Sequence, residues 1–269
     1  MDQNIQNHTI DLDKIVSDKF KGKKLPGFVM RFLKRFLHID FLNAFFERGY
    51  EGIEFCEETL NYLDVKLEVE GLGNIPADGT LYTFASNHPL GGIDGVALGG
   101  LVGRRFGSVT MLVNDFLMAI PGLRPLGIPV NKVGGQARNL PQLVSEAFAS
   151  DKQILIFPAG LCSRKIDGKI QDLPWSKAFV AKSVKTGRKI VPVHFVGTNS
   201  KRFYRVANLC KALKLKFNFA MLLLPDELYK NQHQTFKVIF GEPIDPSVFD
   251  SSKTPVQWAA WVRDKVYSL

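Results

Sequence analysis

From residue 65 the chain reads VKLEVEG, apolar and polar positions alternating as they do in a strand with one face on a core. Compact apolar runs follow at intervals: TLYTFAS (80–86), SVTMLVN (108–114), KQILIFP (152–158), KIVPVHFVG (189–197) and FKVIFG (236–241). They are rich in β-branched and aromatic residues and bounded by Gly, Pro, Asn or Asp, which predicts further strands. Helical patterns lie between them over 94–105, 138–150, 175–187 and 202–213, and another at 256–267 closes the chain. This alternation predicts an α/β fold with a mixed, largely parallel sheet flanked by helices.

Residues 26–48, PGFVMRFLKRFLHIDFLNAFFER, follow a different pattern. Phe28, Phe32, Phe36 and Ile39 recur at helical spacing with Val29, Leu33 and Leu37 beside them, while Arg31, Lys34 and Arg35 fall on the other side. Pro26 suits the first turn of one amphipathic helix and Gly49 its end. Two roles fit such a stripe: packing on the core, or lying in a membrane interface with the cations toward the head groups. The expected organisation is a helical, membrane-associating segment over 1–65 and an α/β domain over 66–269.

Composition narrows the partners. The chain has 269 residues, 45% hydrophobic and 23% charged, which is globular. A formal net charge of +9 points to an anionic partner, whether nucleic acid, an acidic membrane surface or a phosphorylated substrate. No recognised nucleic-acid motif occurs, so nucleic acid is not expected. Cys56, Cys162 and Cys210 have no CxxC spacing, so neither a disulfide framework nor a zinc site is suggested, and a reducing compartment fits. The polar start MDQNIQNHTIDLDK is not a secretory signal, and no apolar run approaches the ~20 residues of a spanning helix. The expected location is cytoplasmic, peripheral on the inner face of the cytoplasmic membrane.

Chemistry is sought in the loops beyond strand ends, where α/β sheets gather their sites. SNHPLGGIDG (86–95) places His88 and Asp94 on either side of Gly91-Gly92. A lone histidine in a turn is most often structural. The functional reading folds Asp94 back onto His88 through the glycines, fixing the tautomer of a general base. No GxSxG elbow occurs, which argues against a serine hydrolase of that type. In IFPAGLCSR (156–164), Pro158 and Gly160 shape a turn, and Ser163 and Arg164 offer polar contacts. In LGIPVNKVGGQAR (126–138), Lys132 and Arg138 flank Gly134-Gly135, either an anion site or an ordinary turn with solvated charges.

In this order the loops resemble the glycerolipid acyltransferase superfamily, the PlsC-like lysophospholipid acyltransferases, from about residue 66 to 245. The family's NHxSxxD block is matched by Asn87, His88 and Asp94, its GxxFxxR-like block by GIPVNK (127–132), its FPEGTRS block by FPAGLCS (157–163), and its VPV strand by residues 191–193. Five residues separate His88 from Asp94 where the family has four. Ala159 replaces the family Glu, Cys162 aligns with its Arg, with Arg164 the nearest substitute, and Lys132 replaces the second block's Arg. NHPLGG-D with FPAG…SR, and FYRVANLCKAL…LLPDEL further on, are more similar to the hemolysin-like branch that acylates lyso-amino-acid lipids such as lyso-ornithine lipid.

The resemblance implies acyl transfer to a lyso-lipid hydroxyl, the acceptor a lyso-amino-acid lipid (ornithine or glycine lipid type) or lysophosphatidate. The donor would be an acyl thioester on acyl carrier protein or coenzyme A, with neither metal nor redox cofactor. His88 would be the base and Asp94 its orienting partner, with Asn87, Lys132, Gly160, Ser163 and Arg164 on the substrate side. Backbone N–H groups of the 158–161 turn would meet the oxyanion. Two alternatives stand beside it: Cys162 with His88 as thiol nucleophile and base of a thioesterase or ping-pong transferase, and an inactive membrane-binding protein.

Overall fold

The structure is a computed structural model that describes residues 9–19, 25–113, 120–129, 140–215 and 219–269. Four helices lead, α1 (Leu12–Lys19), α2 (Gly27–Phe36), α3 (Ile39–Phe46) and α4 (Gly52–Tyr62). The strands are β1 (Lys66–Glu70), β2 (Tyr82–Ser86), β3 (Val109–Val113), β4 (Gly127–Pro129), β5 (Gln153–Ile156), β6 (Arg164–Ile166), β7 (Lys169–Gln171), β8 (Lys189–Val196) and β9 (Thr235–Phe240). Among them run α5 (Ile93–Phe106), α6 (Leu140–Ala149), α7 (Ala178–Lys185), α8 (Lys201–Ala212) and α9 (Leu224–Lys230), and α10 (Pro255–Tyr267) follows.

Seven strands form one sheet in the order β1-β9-β8-β2-β5-β3-β4, parallel throughout except where β9 meets β8. The expected strands all lie in it, and β4 is added at one edge. The β6–β7 pair is a separate antiparallel hairpin. Every residue of β2 is buried, because its neighbouring side chains serve two cores. Phe84 joins a large cluster with Phe55, Leu98, Phe195 and Val238, whereas Ala85 joins another with Phe148, Phe179, Ile190, Trp258 and Val262. Helices α4 and α5 cover the first face, and α7 and α10 the second. Close packing of α4 on α5 requires glycine at position 103, where a Cβ would stand 2.6 Å from Ile53 Cγ1.

The helices before residue 65 share the first core. Phe45, Phe46, Phe55, Cys56 and Leu63 belong to the cluster that holds Phe84 and Leu98. The single helix expected over 26–48 is instead two helices, α2 and α3. They are separated at His38, whose φ of 51° is left-handed. The break has a tertiary cause: His38 Nε2 lies 3.0 Å from Asp226 Oδ1 and its ring stacks on Tyr229 at 3.9 Å. The stripe therefore divides. Ile39 is buried, Phe36 packs beside α8 under Arg202, and Phe28 and Phe32 remain 74% and 65% exposed. Lys34, one of the three cations, pairs with Asp13 at 2.5 Å. No helix among the described residues is long and apolar enough to cross a membrane.

Candidate active site

Strands β2 and β5 are parallel neighbours, with Phe84 opposite Leu155 and Ala85 opposite Ile156, so the loops that follow them leave the same edge of the sheet. His88 stands two residues beyond β2, and Asp94 lies in the first turn of α5. The structure brings them together, with His88 Nδ1 3.0 Å from Asp94 Oδ2. Gly91 makes the turn at φ +80°, a conformation that L side chains rarely adopt. A Cβ at this position would also collide with Cys162 Sγ.

Asp94 is fully buried and does not depend on His88 alone. Its Oδ2 accepts the N–H groups of Leu90 (2.9 Å) and Gly91 (3.2 Å), and its Oδ1 accepts that of Gly95 (3.0 Å). Burial opposes the charge on both partners, yet the pair outweighs it. The Asp94 carboxyl is held below the usual carboxylate value by His88 and the N–H groups of Leu90 and Gly91. Against the same burial, the Asp94 charge and hydrogen bond raise His88 above its ordinary 6.5, with Asp172 adding to the rise and Arg164 opposing it. With Asp94 accepting the proton of Nδ1, the lone pair of Nε2 is left to take a proton. Phe157, first residue after β5, stacks on the ring at 4.1 Å and fixes its plane.

Around this pair the expected substrate residues take varied positions. Asn87 is buried and spends its amide on β8, donating to the Phe195 carbonyl (2.9 Å) and accepting the Phe195 N–H (2.7 Å). Gly160 turns at φ +69° and donates its N–H to the Phe157 carbonyl (2.9 Å). Ser163 is buried: its N–H donates to the His88 carbonyl at 2.7 Å and its hydroxyl to Asp172 Oδ1 at 2.6 Å. Arg164 is buried on β6, where Nη1 donates to the carbonyls of Cys162 (2.5 Å) and Ser163 (3.2 Å), and its guanidinium lies over Phe203 at 5.6 Å. Lys132 and Arg138 lie outside the described residues. The Cys162 thiol is buried, and burial pushes its pKa up to about 12.

Sequence reasoning missed two buried polar residues at the same edge. Asn199, just past β8, donates its amide to the carbonyls of Pro89 (3.1 Å) and Leu90 (3.3 Å) and so holds the His88 loop. Asp172 joins the loops after β2 and β5. The signal for Asn199 was topological, a polar residue closing a strand next to β2; a solitary Asp in IQDLPW carried none.

The chain as a whole is similar to known acyltransferases. The model of a family described as Acyltransferase matches residues 15–269. Two curated relatives, each named lyso-glycine lipid O-acyltransferase, are similar along nearly their whole length. That of Bacteroides thetaiotaomicron is 52% identical over 265 residues, 97% of both chains. That of Phocaeicola vulgatus is 51% identical over 265 residues, 97% of this chain and 95% of the relative. The crystal structure of the 1-acyl-sn-glycerophosphate acyltransferase PlsC of Thermotoga maritima superposes with a TM-score of 0.50 at 21% identity, over 80% of this chain and 77% of that one, and shares the fold. With the family's match running from residue 15 to 269, the chain belongs to the acyltransferase family.

Proposed function

We propose that this enzyme moves a fatty acyl group from an acyl thioester to the hydroxyl of a lyso-amino-acid lipid, with His88 as general base. One observation carries the reading. A histidine at the edge of the sheet has Nδ1 held by a buried, fully hydrogen-bonded carboxylate, while Nε2 is left to act. Nε2 takes the acceptor's hydroxyl proton as that oxygen bonds to the thioester carbonyl carbon. The tetrahedral intermediate collapses with cleavage of the C–S bond, and the thiolate leaves with the proton that His88 returns. A positioned base of this kind is worth ~10²–10⁴-fold. The oxyanion meets N–H groups of the turn after β5; Pro158 has none and Gly160 has spent its own, which leaves Ala159 and Leu161.

The names of the two relatives favour a glycine lipid, whose head group carries a carboxylate, over lysophosphatidate. Arg164 is the cation assigned to that carboxylate: its Nη1 is anchored on the carbonyls of Cys162 and Ser163, and its charge acts on His88. Lys132 is a second candidate on the sequence argument alone. Acyl carrier protein or coenzyme A carries the donor, and no metal or redox group takes part. A covalent route through Cys162 is disfavoured, because a buried thiol with a pKa near 12 supplies almost no thiolate.

The test is incubation of pure protein with labelled acyl thioesters on either carrier and a panel of lyso-glycine, lyso-ornithine and lysophosphatidate acceptors. Transfer to the amino-acid lipids, retained in Cys162→Ser, is expected. A trapped acyl-Cys162, or hydrolysis without transfer, would hand the case to the thiol route.

The acceptor stays in its bilayer, so the enzyme docks there. Phe28 and Phe32 on α2, and Leu209, Leu213 and Leu222 on and beside α8, are exposed apolar side chains. Residues 201–215 add five cations and no acid. Each cation near acidic head groups is worth about 1 kcal/mol at low salt. Reversing Arg31 and Arg35 to Glu should weaken co-sedimentation with anionic vesicles at low salt and less at high salt, with activity on detergent-dispersed substrate kept. Equal binding at every salt concentration would remove α2 from the docking surface.

A further inference from the structure

Asp172 follows β7 directly and is 1% exposed. Its Oδ1 accepts the backbone N–H of His88 (3.2 Å) and the Ser163 hydroxyl (2.6 Å), and its Oδ2 accepts the indole N–H of Trp175 (2.9 Å). Its own peptide is tied to α10. The N–H donates to the Tyr267 hydroxyl (2.8 Å) and the carbonyl accepts from Arg263 Nη2 (3.1 Å). Since Ser163 N–H donates to the His88 carbonyl, a closed ring forms. The peptide of His88 is gripped at its N–H by Asp172 and at its C=O by Ser163, and Asp172 holds Ser163. None of the sequence blocks contains this residue.

We propose that Asp172 is a positioning residue for the transfer: it locks the loop carrying His88 to the loop carrying the oxyanion turn, and its negative charge favours the imidazolium formed during the reaction. This rests on the reading of His88 as the base. Two independent features of the ring require it. The relative placement of base and oxyanion donors is set by the loops after β2 and β5, which the carboxylate bridges, and displacement by about 1 Å costs on the order of 10²-fold in rate. The bridge is also charged where a neutral amide would have filled the same space. A buried carboxylate needs several donors, and three converge on its oxygens here, from His88, Ser163 and Trp175.

The groups that act on the charge of His88 are Asp94 on α5, Asp172 after β7 and, in opposition, Arg164 on β6. Cys162 remains a neutral thiol beside them. On its far side Asp172 faces Tyr267 and Arg263 of α10 and His194 of β8, whose pKa is lowered by burial against the opposing charge of Asp172. Removing the Asp172 charge therefore lowers the proton affinity of His88.

Asp172→Asn keeps the volume, removes the charge and sets an amide N–H2 against one of the donors the carboxylate accepts, which loosens the bridge. The expected result is kcat lower by roughly 10²-fold with KM within a few-fold, and the acidic limb of the kcat/KM profile at lower pH than in wild type. Trp175→Phe keeps the charge and removes one donor, so a smaller loss of kcat with the limb in place is expected. A ¹⁵N-imidazole titration of His88, assigned by its absence from His88→Ala, reads the same shift without turnover. A wild-type rate in Asp172→Asn, or a loss of rate with neither the limb nor the titration moved, overturns the proposal. Should Asp172→Asn not fold, Trp175→Phe decides: unchanged kcat overturns it and reduced kcat at constant KM supports it. Full activity in His88→Ala would instead sink the base reading, whatever the Asp172 variants show.

Discussion

His88 Nδ1 lies 3.0 Å from Asp94 Oδ2, and His233 Nδ1 lies 2.8 Å from Asp64 Oδ2. Judged by distance alone the second pair is the better. Their surroundings differ: the side chains of the first are 16% and 0% exposed, those of the second 74% and 61%. At the first, three backbone N–H groups complete the shell of Asp94 and Phe157 covers the ring. At the second, both residues sit in turns with positive φ before β1 and β9, and water competes for every polar atom. A base is made by what surrounds the contact: a fixed tautomer, a plane that cannot swing, and a carboxylate whose charge is not screened.

The largest expected effect separates the two histidines. His88→Ala should lower turnover by about 10²–10⁴-fold with the fold kept, as read by acyl transfer and circular dichroism on the same sample, and His233→Ala should leave turnover unchanged. Equal losses would mean that the edge of β2 holds no base.

The next effect lies within the buried pair. Asp94→Asn preserves the volume but loses the charge that supports the imidazolium, so kcat should fall by roughly 10²-fold or more. The sign of its pH effect follows from the causes. Asp94 is the main group raising the proton affinity of His88 against burial, so its loss lets burial dominate, and the acidic limb of the rate profile should move to lower pH. A limb that stays in place in this variant would show that His88 does not set it.

How much of this was legible follows from how local each cause is. The strands that carry the site, β2, β5 and β8, announce themselves as short apolar runs because each is buried on both faces. His88 and Asp94 were legible because the partners are six positions apart with glycines between them, and the turn is decided there. The break at His38 was not legible. Its causes, Asp226 and Tyr229, lie about 190 residues away, and the local pattern through 26–48 is an unbroken helix. Strand β4 is only three residues long and takes its identity from pairing with β3. Asp172 was invisible for the same reason as His38: its partners His88, Ser163 and Tyr267 are gathered by the fold, and nothing near it in sequence marks it.

The smallest expected effect is a null at the exposed pair, and stability against pH sharpens it. The folded pKa of His88 is raised, so its contribution is complete below the ordinary 6.5 and is lost as pH rises through the raised value. That of Asp94 is lowered, so its contribution is complete above the ordinary 3.8 and is lost as pH falls through the lowered value. The buried pair thus contributes most between pH 3.8 and 6.5, where His88 is protonated and cannot act as a base. The Tm difference between wild type and Asp94→Asn should be widest in that window and narrow above it, while activity rises over the same range. Asp64 is also lowered, mainly by its hydrogen bond to His233, but it is largely exposed and salt screens it. Asp64→Asn should therefore match wild type in turnover and within about 2 °C in Tm from pH 4 to 9. A Tm gap for Asp64→Asn as wide as that for Asp94→Asn would mean that burial is not what distinguishes the two pairs.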